Sequence, residues 1–288
     1  MSEARGSEGH EPGRPGAARE PLSSRSHPLI QRIRKLSRRP QLGPRTGLFL
    51  LDGVHLLEEA LASSYEPEAI LVSPRLRRTE GGRHLQARME ERAWPLREVG
   101  ETLLGSLATT KTAQGVLGLF RRGPAADLCG PEAAPLGRLA ALVLAGVQDP
   151  LNLGALARAA HVFGCPRLIT LADTVDPLHP RALRASAGSL LHLTICGPIG
   201  EAALGDWIRR HRIRAVALVP RGGVAIAQAP PSPDPRALVL GSEGRGLPAG
   251  VAALCAEHWS IPMAEEADSL GVAAAGAIAL FAASQQPA

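Results

Sequence analysis

Two hydrophobic periods alternate along most of the chain. HPLIQRIRKLSRR spaces its apolar residues among cations at helical intervals, which predicts an amphipathic helix with a basic outer face. A turn around Pro40, Gly43 and Pro44 follows, and then GLFLLDG reads as a strand running into the helical pattern VHLLEEALAS. EAILVSP supplies a second strand. LREVGETLLGSLATTKTAQGVLGLF returns to helical and then strand-like spacing, closing an α/β unit that spans residues 22–120. Residues 121–138, RRGPAADLCGPEAAPLGR, lose all periodicity and are rich in Gly and Pro, so they read as a linker.

Beyond the linker the same alternation resumes and fills residues 139–288. LAALVLAGV is a buried-strand candidate, NLGALARAAHVFG a short helix, PRLITLA a strand, RALRASAGSL a helix and LHLTI a strand. LGDWIRRHR, IRAVALVP and RALVLG continue the series, and WSIPM is a short strand before a last helix of small residues. Strand and helix in regular succession predict a largely parallel sheet covered by helices. No internal repeat is visible. Residues 1–21, with much Gly, Pro and charge and little to bury, predict a disordered tail.

Charge changes this picture in one place. Residues 1–138 hold 21 bases against 16 acids and residues 139–288 hold 11 of each, so the whole formal excess of +5 lies in the first part. RSHPLIQRIRKLSRRPQLGPR concentrates it, and a dense basic stretch is what a polyanion such as RNA attracts. A solvated basic helix would have the same composition. No apolar run is long enough for a membrane span, and residues 1–21 carry no apolar export core, so a cytoplasmic protein without a membrane partner is expected. Cysteines at 129, 165, 196 and 255 are too far apart for a metal motif and too few for a disulfide framework, which points to reduced thiols. His161, His179, His192 and His211 make no metal-ligand spacing either.

Three short stretches carry candidate chemistry. In QDPLNLGALARAAHVFG, Asn152 can cap the helix after the first strand of the second region, Gly154 allows close packing, and Arg158 follows on the same helix. In RALVLGSEGRGLP, a buried strand ends at Gly241 and releases Ser242, Glu243, Gly244 and Gly246 just past a carboxyl-terminal strand edge, where open α/β sheets bind ligands. The glycines fall short of the dinucleotide fingerprint GxGxxG and lie late in the chain, which argues against a nicotinamide oxidoreductase. In WSIPMAEEADSLGVAAAGAIALF, backbone groups near Ile261 and Met263 can meet an adenine edge while apolar side chains cover its faces. Capping, a simple loop and a packed terminal helix would explain each stretch taken alone.

In this order, NLGALARAA, LVLGSEGRGLP and IPMAEEADSLGVAAAGAIALF resemble the SpoU and TrmH-like branch of the SPOUT RNA methyltransferases, over essentially all of residues 139–286. GLFLLDGVHLLEEAL and TTKTAQGVLGLF resemble, less distinctively, the ribosomal-protein-like RNA-binding domain of the same family. The resemblance implies an α/β chain with a carboxyl-terminal trefoil-knotted SPOUT domain and a smaller ribosomal-protein-like RNA-binding domain. It also implies a homodimer whose cofactor pocket lies near the subunit interface, and 2′-O-ribose methylation of structured RNA, ribosomal RNA ahead of transfer RNA. S-adenosylmethionine is the cofactor it implies, with no metal. Carried over by motif, Arg158, Asn152, Glu243 and Ser269 are the expected catalytic residues. Leu240, Gly241, Gly244, Gly246, Ile261, Pro262, Met263, Ser269 and Leu270 are the expected cofactor-binding residues. Arginine is protonated in nearly every setting, so Arg158 is expected to position the ribose hydroxyl and its neighbouring phosphate electrostatically rather than to act as a base.

Two positions depart from the family pattern. The last motif usually reads Ser-Leu-Asn-Val and here reads Ser269, Leu270, Gly271, Val272, which removes an amide able to donate and accept hydrogen bonds. Glu265 stands where glycine is usual. These departures keep open a second expectation, an RNA-binding protein with the methyltransferase fold and no transfer activity.

Overall fold

The computed structural model describes residues 21–110, 112–123, 137–264, 266 and 269–285 of the 288-residue chain. The expected tail, apart from Pro21, most of the expected linker, and Glu265 lie outside the described residues.

The first unit runs α1 (Pro28–Arg38), α2 (Gly43–Thr46), β1 (Leu48–Asp52), α3 (Val54–Leu61), β2 (Pro67–Val72), α4 (Glu80–Glu91), β3 (Leu96–Glu98), α5 (Glu101–Gly105) and β4 (Val116–Arg121). Its sheet has the order β1-β4-β2-β3, with β4 antiparallel to both neighbours and β2 parallel to β3. Successive residues of a strand face opposite ways. Leu48 and Leu50 therefore join Ile30, Ile33 and Leu36 of α1, while Phe49 and Leu51 join Leu57, Leu85 and Met89 of α3 and α4. Burial on both faces is why β1 reads as an unbroken apolar run.

The second unit runs β5 (Leu139–Ala145), α6 (Pro150–Val162), β6 (Arg167–Leu171), α7 (Pro180–Ala185), β7 (Thr194–Ile199), α8 (Glu201–Arg210), β8 (Arg214–Leu218), β9 (Val224–Ala225), β10 (Arg236–Gly241), α9 (Ala249–Ala253), β11 (Glu257–Ser260) and α10 (Val272–Gln285). All seven strands pair in parallel, in the order β7-β6-β5-β10-β8-β11-β9. Leu142, Leu144, Leu238 and Leu240 project toward the layer of α6, α7 and α10. Ala141, Val143, Ala237 and Val239 project the other way, onto Leu204, Trp207 and Val251 of α8 and α9. The expected parallel sheet with helices on both faces is present. The expected strand WSIPM ends earlier, at Ser260, because Pro262 has no N–H to offer a ladder.

The two units share one continuous apolar cluster: Phe49, Leu57 and Phe120 of the first pack with Leu178, Leu190 and Leu193 of the second. Polar groups lock the seam. Arg122 forms a two-pronged pair with Asp176, with Nη1 donating to Oδ1 at 3.0 Å. His192 Nε2 meets Glu59 Oε2 at 2.7 Å, and Arg184 donates to the Thr109 hydroxyl at 2.8 Å. Thr109 is itself held by buried Asp52, whose Oδ2 accepts the N–H and hydroxyl of both Thr109 and Thr110 at 2.6–3.2 Å. No helix among the described residues is long and apolar enough to cross a membrane.

Candidate active site

Because β5, β8 and β10 are adjacent and parallel, the loops that follow them leave at one edge of the sheet. Leu240 is in register with Leu144, and Val239 with Ala217, so Gly146, Pro220 and Ser242 emerge side by side. The loop after β10 has a defined shape. Ser242 and Gly246 exchange backbone hydrogen bonds at 3.1 and 2.9 Å, and Ser242 Oγ accepts the Arg245 N–H at 3.2 Å. Gly246 takes φ +67°, a left-handed conformation that glycine adopts without steric cost. At Gly241 a Cβ would lie 2.3 Å from the Gly246 carbonyl carbon, so only glycine lets the loop fold back onto its own strand.

A cavity of about 470 Å³ opens beside this loop. Its floor is Leu218, Leu240 and Leu247, its rim is Glu243, Gly244 and Gly246, and its far wall is Ile261, Met263 and residues 269–272. Three stretches far apart in sequence thus meet around one space. The size lies within the range of small-molecule sites, roughly 300–1,000 Å³. Apolar walls suit the faces of an aromatic base, the backbone of the 261–263 turn suits its edge, and Glu243 is an anionic partner for an ammonium group. The residues present therefore fit S-adenosylmethionine.

Of the residues expected from the sequence, Leu240, Gly241, Glu243, Gly244, Gly246, Ile261, Met263, Ser269 and Leu270 line this cavity. Pro262 lines the adjoining depression with Pro220, Arg221 and Ser260. Asn152 and Arg158 line neither. Asn152 does not cap α6; Asp149 does, its Oδ1 accepting the Leu151 N–H at 2.9 Å, because the helix starts at Pro150, three residues before a cap at Asn152 would start it. Freed from capping, Asn152 donates from Nδ2 to Glu243 Oε1 and ties α6 to the cavity rim. Arg158 is exposed farther along α6, and it makes no hydrogen bond or ion pair with any described residue.

Other expected residues have structural tasks. His179 caps α7, His161 and His192 stack with ring centroids 5.1 Å apart, and the His211 ring packs 6.2 Å from Trp207. The described residues hold no group of three His, Cys, Asp or Glu side chains placed to share a metal ion. Among the lining residues that sequence reasoning missed are Leu218, Val219, Pro220, Leu247, Ala252, His258 and Ala275. The signal was present in IRAVALVP: once that strand pairs in parallel with RALVLG, its carboxyl end must adjoin Gly241.

Residues 140–281 match the model of the SpoU rRNA Methylase family, and residues 27–118 match an MRM3-like substrate binding domain. An uncharacterized tRNA/rRNA methyltransferase of Synechocystis is 31% identical, over 92% of this chain and 93% of that one. The 23S rRNA (guanosine(2553)-2′-O)-methyltransferase RlmP of Bacillus subtilis is 26% identical, over 82% of this chain and 88% of its own. Among solved structures, an AdoMet-bound rRNA methyltransferase from Sinorhizobium meliloti superposes with a TM-score of 0.76 at 27% identity, covering 92% of this chain and 97% of the other.

Proposed function

From the premise that this chain belongs to the SpoU family of RNA 2′-O-ribose methyltransferases, we propose how its residues divide the work. The enzyme uses S-adenosylmethionine and acts on RNA. Residues 22–120 recognise the RNA, and residues 139–288 hold the cofactor and carry out transfer. The observation that carries this reading is the convergence of residues 240–246, 261–263 and 269–272 on one cavity whose rim is tied to α6.

When bound, the cofactor supplies a methyl group already activated for attack by an oxygen nucleophile. The chain's contribution is positioning and electrostatics. Leu240, Gly241, Gly244, Gly246, Ile261, Met263, Ser269 and Leu270 form the cradle, and Pro262 stiffens the turn between two of its walls. Asn152 holds the Glu243 carboxylate at the rim, where it orients the ligand. Arg158 sets the ribose hydroxyl and its phosphate in place by charge.

Arg158 lies six residues beyond Asn152, and at about 100° per residue it projects roughly 240° away around the helix. It shares the exposed face of α6 with Leu151 and Val162, and α10 packs against that helix with Ile278 and Phe281 also exposed. Exposed large apolar residues on two helices that pack together support a homodimer. In the dimer, Arg158 of each protomer serves the site near the interface. Ribosomal RNA is the proposed substrate class, supported by the names of the Bacillus and Sinorhizobium relatives. Cytoplasmic residence fits an RNA substrate and free thiols at Cys165 and Cys255, which burial pushes up to about 12 and about 11.

The test is transfer of labelled methyl from S-adenosylmethionine into unmodified ribosomal and transfer RNA. Arg158→Ala is expected to lower transfer by about 100-fold or more, the scale of a lost transition-state contact, while cofactor affinity stays near wild type. Undiminished transfer by the folded variant would remove Arg158 from the reaction.

A further inference from the structure

Between residues 21 and 51 the chain has seven Lys and Arg and no Asp or Glu. The apolar side of α1 is buried through Ile30, Ile33 and Leu36, so its cations stand on the outside. Arg32 is neutralised by Glu68, but Lys35, Arg38, Arg39 and Arg45 are exposed and pair with no described acid. The nearby carboxylates are engaged elsewhere: Glu68 by Arg32 and Arg121, Glu98 by Arg77, Glu101 by Arg78. An uncompensated basic strip therefore ends at the carboxyl end of α1.

That end abuts the second unit. Leu36, Pro40 and Gly43 line one narrow crevice with Leu178 and Pro180, the residues that lead into α7. On α7, Arg181 is exposed and unpaired with any described acid, and Asp176, which precedes the helix, is taken up by Arg122. α7 in turn lies directly against the first turn of α6. A Cβ on Gly154 would sit 2.5 Å from the Ala182 carbonyl oxygen, and Gly154 is two residues from Asn152. Cations thus stand on both sides of the seam, at the carboxyl end of α1 and at the start of α7, and α7 packs on the helix whose Asn152 holds the cavity rim.

We propose that the RNA backbone runs along this composite track, with Lys35, Arg38 and Arg39 of the first unit and Arg181 of the second each neutralising phosphate. The proposal rests on the RNA-methyltransferase reading and adds to it the surface that delivers the strand. Phosphate contacts fix register without reading sequence, so the track aligns the target ribose with the cavity and leaves choice of nucleotide to other groups. Because the track crosses the seam, it reads the relative placement of the two units, and cations on both sides are required.

The experiment measures binding of full-length protein to a transcribed, unmodified ribosomal RNA across a salt series, with cofactor affinity measured in parallel. Variants are Arg181→Ala, the triple Lys35→Ala/Arg38→Ala/Arg39→Ala, and Arg210→Ala as control. Arg210 is exposed on α8, which covers the opposite face of the sheet, so it changes net charge without touching the track. Each lost phosphate contact lowers the slope of log affinity against log salt by about 0.7 for single strands or 0.9 for duplex. Arg181→Ala is expected to reduce that slope by roughly one and the triple variant by roughly two to three, with affinity falling several-fold and more than tenfold, while Arg210→Ala matches wild type. Arg181→Ala indistinguishable from Arg210→Ala overturns the track. If wild type shows the track-dependent slope and binds cofactor but transfers no methyl, the methylation reading fails and the track stands; methylation undisturbed by the four substitutions sinks the track alone.

Discussion

Two glycines of the candidate site have opposite physical meanings. Gly241 sits where a Cβ would strike the Gly246 backbone at 2.3 Å, and Gly271 sits where a Cβ would meet nothing within 4 Å. Gly241→Ala must therefore push the 242–246 loop off its strand. It is expected to destabilise the protein by about 1–3 kcal/mol and to weaken S-adenosylmethionine binding at least tenfold, read by denaturant unfolding and calorimetric titration. Gly271→Asn, which restores the residue usual in the family motif, should leave stability within about 0.5 kcal/mol of wild type and retain cofactor binding. Loss of folding in Gly271→Asn would show that the 269–272 segment has adapted to glycine. The sequence marks Gly241 as a motif residue and Gly271 as a departure, but it does not show which position has room for a side chain. The distinction comes from what the folded backbone brings beside each.

At the scale of an element, α7 has only six residues and depends on its cap. His179 Nδ1 accepts the Arg181 N–H at 3.1 Å, and only an unprotonated nitrogen can do so. Burial holds this imidazole below its ordinary 6.5, with Arg181 and Arg184 pushing the same way and Asp176 opposing them. A lowered folded pKa means that the unfolded chain takes up the proton first. The cap's contribution is complete above about pH 6.5 and declines as the pH falls from there toward the folded value. Asparagine offers a capping oxygen that does not titrate. His179→Asn is therefore expected to lose less stability than wild type between pH 6.5 and 5 in parallel unfolding titrations. Parallel curves for the two proteins would mean that the cap does not titrate in this range.

For the whole molecule, the seam decides whether two α/β units act as one. Arg122 and Asp176 are only 17% and 15% exposed, and the apolar cluster around them is continuous across both units. Replacing one partner leaves the other charge poorly solvated, a loss of about 3 kcal/mol for a buried pair. Arg122→Ala should lower stability by about that much, or somewhat less at this exposure. It should also raise KM for RNA while S-adenosylmethionine affinity stays the same, since the cavity belongs wholly to the second unit. An unchanged KM would show that RNA does not bridge the seam.

Much of this organisation was legible in the chain because it is local. The period of GLFLLDGVHLLEEAL and of the strands and helices after Leu139 sets which segments are strands or helices and which of their residues are buried, and the three glycine-containing and small-residue stretches carry the family pattern. What the sequence could not supply were relations between distant segments. Asn152 reads as a helix cap until Pro150 starts the helix earlier and Glu243 arrives across the sheet edge. Val219 and Pro220 are ordinary strand-end residues until β8 lies beside β10. The basic run at residues 25–45 acquires a direction only where Leu36 and Pro40 meet Leu178 and Pro180. Hydrophobic periodicity determines the elements because each segment carries its own pattern of burial. Strand order, the cavity and the seam are decided by packing between segments far apart along the chain, and no single segment encodes that packing.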